Sequence, residues 1–202
     1  MPKTYFEYRG VSNAVYAEIT ADTAADFTTG AVKDLTGVSE IGKTTDSANE
    51  THYYDNLPAI VIDSVGSDKI TINTSGIPLD VLADITGQYY DEQTGMLVEQ
   101  ESTPKYFAFG YITDKTDGTK VLVWRLKGKF SIPGTTSATK NDGTDANGQE
   151  LTYTGISTVH KFTKTGKPAR AINIDTSVNQ AMTDATFFAQ VNTPDTISGS
   201  DK

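Results

Sequence analysis

The run Gly37-Val38-Ser39-Glu40-Ile41-Gly42-Lys43-Thr44 spells the phosphate-loop pattern G-x4-G-K-[ST]. Chemistry of that kind needs backbone amides that cradle phosphates, a lysine (here Lys43) that reaches the terminal ones, and a hydroxyl (Thr44) that holds magnesium. The downstream run Ala59-Ile60-Val61-Ile62-Asp63 resembles the apolar strand that ends such sites in a metal-binding carboxylate. The motif works only between a strand and a helix, because the helix N-terminus supplies the amides. Residues 31–36 make a weak strand, and residues 45–56 carry no apolar stripe with which a helix could pack on a sheet. Gly37, Gly42, Lys43 and Thr44 are therefore read as a chance match, and no cofactor is expected.

Other catalytic arrangements are thinly supplied. The two histidines, His52 and His160, stand far apart, and the chain has no cysteine, so neither a zinc site nor a nucleophile-base pair is spelled out. A pair of glycosidase carboxylates would have to come from residues such as Glu7, Glu18, Glu99 and Glu101, whose separation the sequence leaves open. The expectation is a protein with no catalytic and no metal-binding residues. Tyr53-Tyr54 and Tyr89-Tyr90 are better placed to bind, since tyrosines in polar loops stack on sugars or anchor protein interfaces. Arg125, Lys127 and Lys129 fall on one side of a strand pattern, as either a neighbour-subunit contact or an ordinary wet face.

The elements that must position these residues are mostly strands. Residues 121–132 alternate, with Leu122, Trp124, Leu126, Gly128, Phe130 and Ile132 on one face and Val123, Arg125, Lys127, Lys129 and Ser131 on the other. Asp117-Gly118 turns this strand back onto residues 106–113, because glycine accepts positive φ. Further strands are expected at 15–20, 59–65, 69–73, 151–159 and 171–174, with a short turn at Gly66-Ser67-Asp68. Two segments carry helical spacing. Residues 78–86 place Leu79, Val81, Leu82 and Ile85 on one stripe between Pro78 and a Gly87 stop, and residues 178–191 repeat the pattern up to Pro194. Three polar stretches, 42–56, 134–149 and 193–202, read as exposed loops or arms, the last a weak tail.

Composition agrees. The chain of 202 residues suits one domain, and 31 threonines with 13 serines, Tyr and Phe favour pleated, half-buried surfaces. Absence of an apolar run of about 18 residues argues against a membrane span, and the polar-aromatic start lacks signal-peptide character. Synthesis in a cytoplasm is expected. Residues 1–100 hold 5 basic and 16 acidic side chains, whereas residues 101–202 hold 12 and 10. Such polarity fits either head-to-tail contacts between identical copies or simply an acidic, soluble protein, the latter slightly better on charge alone, and it disfavours tight nucleic-acid binding, which needs a concentrated basic footprint.

The order of segments resembles the major tail proteins of long-tailed phages of Gram-positive bacteria, the phi13-type family. The likeness spans nearly the whole chain. It is carried by Gly10-Val11-Ser12-Asn13-Ala14-Val15-Tyr16, by Leu35-Thr36-Gly37-Val38 with Glu40-Ile41, and by Tyr54-Asp55-Asn56. The helix ending at Gly87, the Pro104-Lys105-Tyr106-Phe107-Ala108-Phe109-Gly110-Tyr111 strand, the Asp117-Gly118 turn and Phe187-Phe188 with Val191 complete it. The resemblance implies a mainly β, sandwich- or barrel-like tail-tube fold with one or two short helices and long assembly loops. It implies a non-enzymatic virion subunit whose rings, typically hexameric, stack into a tube. Its partners would be further copies of itself, a tape-measure protein, and tail-terminator and initiator proteins, with DNA only in transit and no membrane. Residues 42–56 would be the ring-contacting loop. Thr44, Asp46, His52, Tyr53, Tyr54, Arg125, Lys127 and Lys129 are then the inter-subunit candidates. The competing reading is a monomeric carbohydrate-binding or adhesive β-sandwich displaying the tyrosine pairs.

Overall fold

Alternating side chains and a turn glycine build the centre of the molecule. The Asp117 carboxylate accepts hydrogen bonds from the Thr119 amide and hydroxyl, and Gly118 takes φ 82°. The two segments that this turn joins pair antiparallel in the expected hairpin. The computed structural model describes residues 5–103, 105–137 and 147–198. In chain order the elements are β1 (Tyr8–Asp22), β2 (Phe27–Thr29), β3 (Lys33–Asp34), β4 (Val38–Tyr54), β5 (Leu57–Thr74), α1 (Leu79–Thr86), β6 (Tyr89–Asp91), β7 (Met96–Val98), β8 (Phe107–Lys115), β9 (Lys120–Phe130), β10 (Gln149–Gly155), β11 (Ala171–Asp175) and α2 (Asp184–Phe188).

The fold is mainly β and sandwich-like, with two short helices. One large antiparallel sheet runs β2-β1-β8-β9-β10-β5-β4, with β11 added to β9 and β3 to β1. It curls until its far ends approach: β1 and β4 lie against each other, and their first residues flank one groove. Inside the curl lies an aromatic core of Tyr16, Phe107, Phe109, Tyr111, Phe130 and Tyr153 with Ile70, Ile72 and Leu151. A second core lies on the outer face, where Val15, Ala17, Ala108, Ile112, Leu122, Trp124 and Leu126 are covered by Phe162, Phe187 and Val191. Both faces of the central strands are thus buried.

That arrangement corrects the strict alternation expected of β9. Phe107 pairs with Gly128 but Phe109 pairs with Arg125, so β9 spends one extra residue there. A bulge of this kind reverses which side chains face which way. Phe130 therefore joins the inner core, while Leu122, Trp124 and Leu126 face outward. Gly128 is required at this point, because a Cβ would lie 2.4 Å from the Thr154 carbonyl oxygen and from the Tyr153 ring.

The first helix matches its expectation, ending at Gly87 in the left-handed conformation with its amide bonded to the Ala83 carbonyl. The second is much shorter than the expected 178–191. Thr183 caps its start reciprocally with Thr186, which leaves 178–182 as turns. At the other end the Trp124 indole and the Asn192 side chain both donate to the Phe187 carbonyl. That acceptor would otherwise serve a continuing helix.

The polar stretches also differ from expectation. Residues 193–198 are tied down, with Asp195 accepting the Thr163 and Lys164 amides and Ile197 packing on the outer core. Residues 199–202 and 138–146 lie outside the described residues, as does Pro104. Gly134 bridges to Glu150 beside exposed residues 135–137. Residues 42–56 are not a loop. They form most of β4, which pairs with β5 throughout its length and reverses at Asp55-Asn56, both at positive φ. The expected turn at 66–68 is instead a bulge, where Thr45 faces Asp68 and Ser47 faces Val65.

Candidate assembly arm

Strand β10 covers the outer edge of β5 only between Asp68 and Thr74. From Val65 to Leu57 the strand has β4 as its one partner among the described residues, so β4 and β5 leave the sheet as a two-stranded arm about 26 Å long at the usual strand rise. Its polar β4 half follows from having no core to face. The β5 half is the anomaly. Leu57, Ile60, Val61, Ile62 and Val65, with Tyr53 and Tyr54, are 49–66% exposed. Cross-strand pairing puts Ile60 and Ile62 with His52 and Glu50 on one face, and Val61 and Val65 with Thr51 and Ser47 on the other. An isolated hairpin is marginally stable in water, and apolar side chains displayed along free strand edges mark a surface built to be covered.

The root of the arm is fixed by charge. The Asp68 carboxylate, 5% exposed, accepts from the Thr45 hydroxyl at 2.7 Å, from Arg125 at 3.3 Å and from Arg170 at 3.4 Å. Arg170 also donates to the Val65 carbonyl, and Ser67 to the Asp46 carboxylate across the bulge. The clamp joins β5 to the sheet centre and to the segment after β10. Sequence reading missed Asp68 and Arg170, although the turn signal at Gly66-Ser67-Asp68 marked a break in the strand at the first.

The expected contact residues separate into two groups. Thr44, Asp46, His52, Tyr53 and Tyr54 all lie along β4, the last two at the tip opposite Pro58 and Leu57. The basic stripe is not assembled. Arg125 is buried toward the inner core between Asp68 and the Tyr111 hydroxyl, while Lys127, beyond the bulge, is buried against Asp22. Lys129 sits over the Tyr106 ring. Arg125 and Lys127 are consumed by intrachain pairs rather than displayed.

The phosphate-loop residues are likewise strand residues. Ile41 faces Ile72, Gly42 faces Thr71 and Lys43 faces Ile70 in the β4–β5 ladder. An extended strand lacks the loop turning into a helix N-terminus that a phosphate cradle needs, and Asp63 stands on the arm opposite Asn49. No group of three or more potential metal ligands occurs among the described residues.

Tyr89 and Tyr90 line a second concavity of about 620 Å³ with Asp80, Asp84 and Glu92. At its back the Tyr16 hydroxyl donates to Asp84, which also pairs with Lys33 at 2.6 Å. Burial and the Asp84 charge push the Tyr16 hydroxyl well above the ordinary tyrosine range. No helix is long and apolar enough to cross a membrane among the described residues. No protein-family model matches the chain, and no curated protein matches it.

Proposed function

We propose that this chain is a structural subunit that assembles with copies of itself, as the major subunit of a phage tail tube. The observation that supports it is the β4–β5 arm, whose apolar residues on both faces find no cover within the described chain. Head-to-tail association gives such an arm a partner, closes rings and stacks them. The acidity of the chain suits a conduit, since carboxylates repel passing DNA phosphates. In this reading the protein is a non-enzymatic component of the virion tail, made in the host cytoplasm. It meets tape-measure, terminator and initiator proteins, and meets DNA only in transit.

Negative-stain electron microscopy across a concentration series tests the proposal. Rings or tubes of uniform width are expected, and monomers at every concentration, with or without an initiator complex, would refute it. A carbohydrate-binding module is the second reading, favoured by the exposed Tyr89 beside carboxylates in the second concavity. Glycan binding that is lost on Tyr89→Ala, in a chain that stays monomeric, distinguishes it.

A further inference from the structure

The curled sheet stops short of closing, and the break is a groove of about 950 Å³ between the first residues of β1 and of β4. Its floor is mainly Tyr111, Val121 and Val123, with Thr113, Arg125 and Asn173 beside them, and its rims carry Tyr8 and Arg9 on one side and Lys43 on the other. No ladder joins β1 to β4 among the described residues, so the β4 edge facing away from β5 is unpaired there. An open strand edge above an apolar floor accepts an added strand, with main-chain bonds giving affinity and side-chain contacts giving selectivity.

We propose that this groove receives the arm of a second copy, an inference that rests on the self-assembly reading and names the surface the arm meets. Charge favours the match. The arm, residues 47–65, holds Glu50, Asp55 and Asp63 with no lysine or arginine, whereas the groove rims carry Arg9 and Lys43, the latter 4.0 Å from its own Asp68, against the single rim carboxylate of Glu40. Shape favours it as well, because the arm offers free edges and apolar side chains to an apolar floor. A copy does not fold its own arm into its groove: the rim at residues 39–43 and the arm at residues 47–54 are successive parts of one strand, β4, paired with β5 along its length. Each copy therefore gives an arm and takes one, a heterologous contact that repeats from copy to copy.

The absence of cysteine makes the test direct. A Ser39→Cys variant, on the groove rim, is mixed with an arm variant carrying Ile60→Cys or Val61→Cys, one for each face, and treated with a short bismaleimide. Each variant is first confirmed by microscopy to assemble as the unaltered chain does. The expected product is a covalent dimer from at least one arm variant with Ser39→Cys, and none with Lys164→Cys on the exposed basic loop. Assemblies that form normally but cross-link the arm only to Lys164→Cys, or to neither position, overturn the groove while leaving self-assembly intact. Failure of every variant and of the unaltered chain to assemble overturns both. As a second measurement, Arg9→Glu with Lys43→Glu is expected to raise the concentration for assembly at least tenfold, with partial recovery when Glu50→Lys and Asp63→Lys are added. Unchanged assembly by the Arg9→Glu, Lys43→Glu chain counts against the groove.

Discussion

An Arg125 Nη1 lies 3.3 Å from the Asp68 carboxylate, and the two side chains are 10% and 5% exposed. The pair ties the root of the arm to the central strand β9. Removing one partner of a buried ion pair strands the other, at a cost of about 3–5 kcal/mol. Asp68→Ala leaves both Arg125 and Arg170 without their carboxylate and is expected to lower unfolding stability by about 3 kcal/mol in urea. Amide exchange in residues 44–50 should quicken at the same time. A loss below about 0.5 kcal/mol, the range of ordinary surface substitutions, would show that the clamp is not energetically important.

Two strand glycines, one on β9 and one on β4, should behave oppositely. Gly128 sits at the β9 bulge, where an added methyl meets the Thr154 carbonyl and the Tyr153 ring at 2.4 Å. Neither is the free end of a flexible side chain, so Gly128→Ala is expected to cost at least about 2 kcal/mol. Gly42 has nothing within 4 Å of the same position. Gly42→Ala should change stability by less than about 0.5 kcal/mol and leave assembly untouched. Thermal unfolding of the two variants side by side checks both, and a severe effect at Gly42 would mean that its backbone has a duty beyond pairing with Thr71.

Acid should loosen the junction between β1 and the segment after β10. Burial works to raise the Asp22 carboxyl, but the Lys127 ammonium and the amides of Val159 and His160 outweigh it, so the group ionises below the ordinary carboxylate range. Its folded value is therefore lower than its unfolded value of about 3.9. The stabilisation is present above that unfolded value and disappears as pH falls through the folded one. Urea midpoints measured from pH 6 to pH 2 should decline, with Asp22→Asn starting lower at pH 6 and declining less steeply. Parallel curves for the two proteins would remove Asp22 from the acid response.

Local chemistry explains what was legible in the sequence. The Asp117-Gly118 turn, the helix between Pro78 and Gly87 and the β9 strand each depend on residues within a few positions of one another, and each was readable. The fate of β9 beyond Gly128 was not, because the bulge depends on Phe107, Phe109 and Tyr153, which arrive from other strands. Polarity misled for residues 42–56: a strand with no core on either face needs no apolar alternation, so it reads as a loop. The better clue was Asp55-Asn56, a pair tolerant of the positive φ that a tight hairpin demands. Arg125 and Lys127 looked like a displayed stripe because their acids, Asp68 and Asp22, lie 57 and 105 residues away.

Removing the arm separates its role in folding from its role in assembly. Replacing residues 47–65 by an Asn-Gly turn between Asp46 and Gly66 deletes only side chains outside both cores. It sacrifices the Arg170 bond to the Val65 carbonyl but keeps the Asp68 clamp. Shortening the connection also lowers the entropy cost of closing it, by up to about 2 kcal/mol, which offsets the lost Arg170 bond. The melting temperature is therefore expected to stay within about 4 °C of the full chain, since about 1 kcal/mol shifts a domain of this size by roughly 2–4 °C. Sedimentation should show a folded monomer that forms neither rings nor tubes, and that does not co-assemble as an arm donor with the full chain. Normal tubes from the shortened chain would transfer the assembly role to another surface. An unfolded product would show that the arm supports the sheet through contacts that its exposure does not reveal.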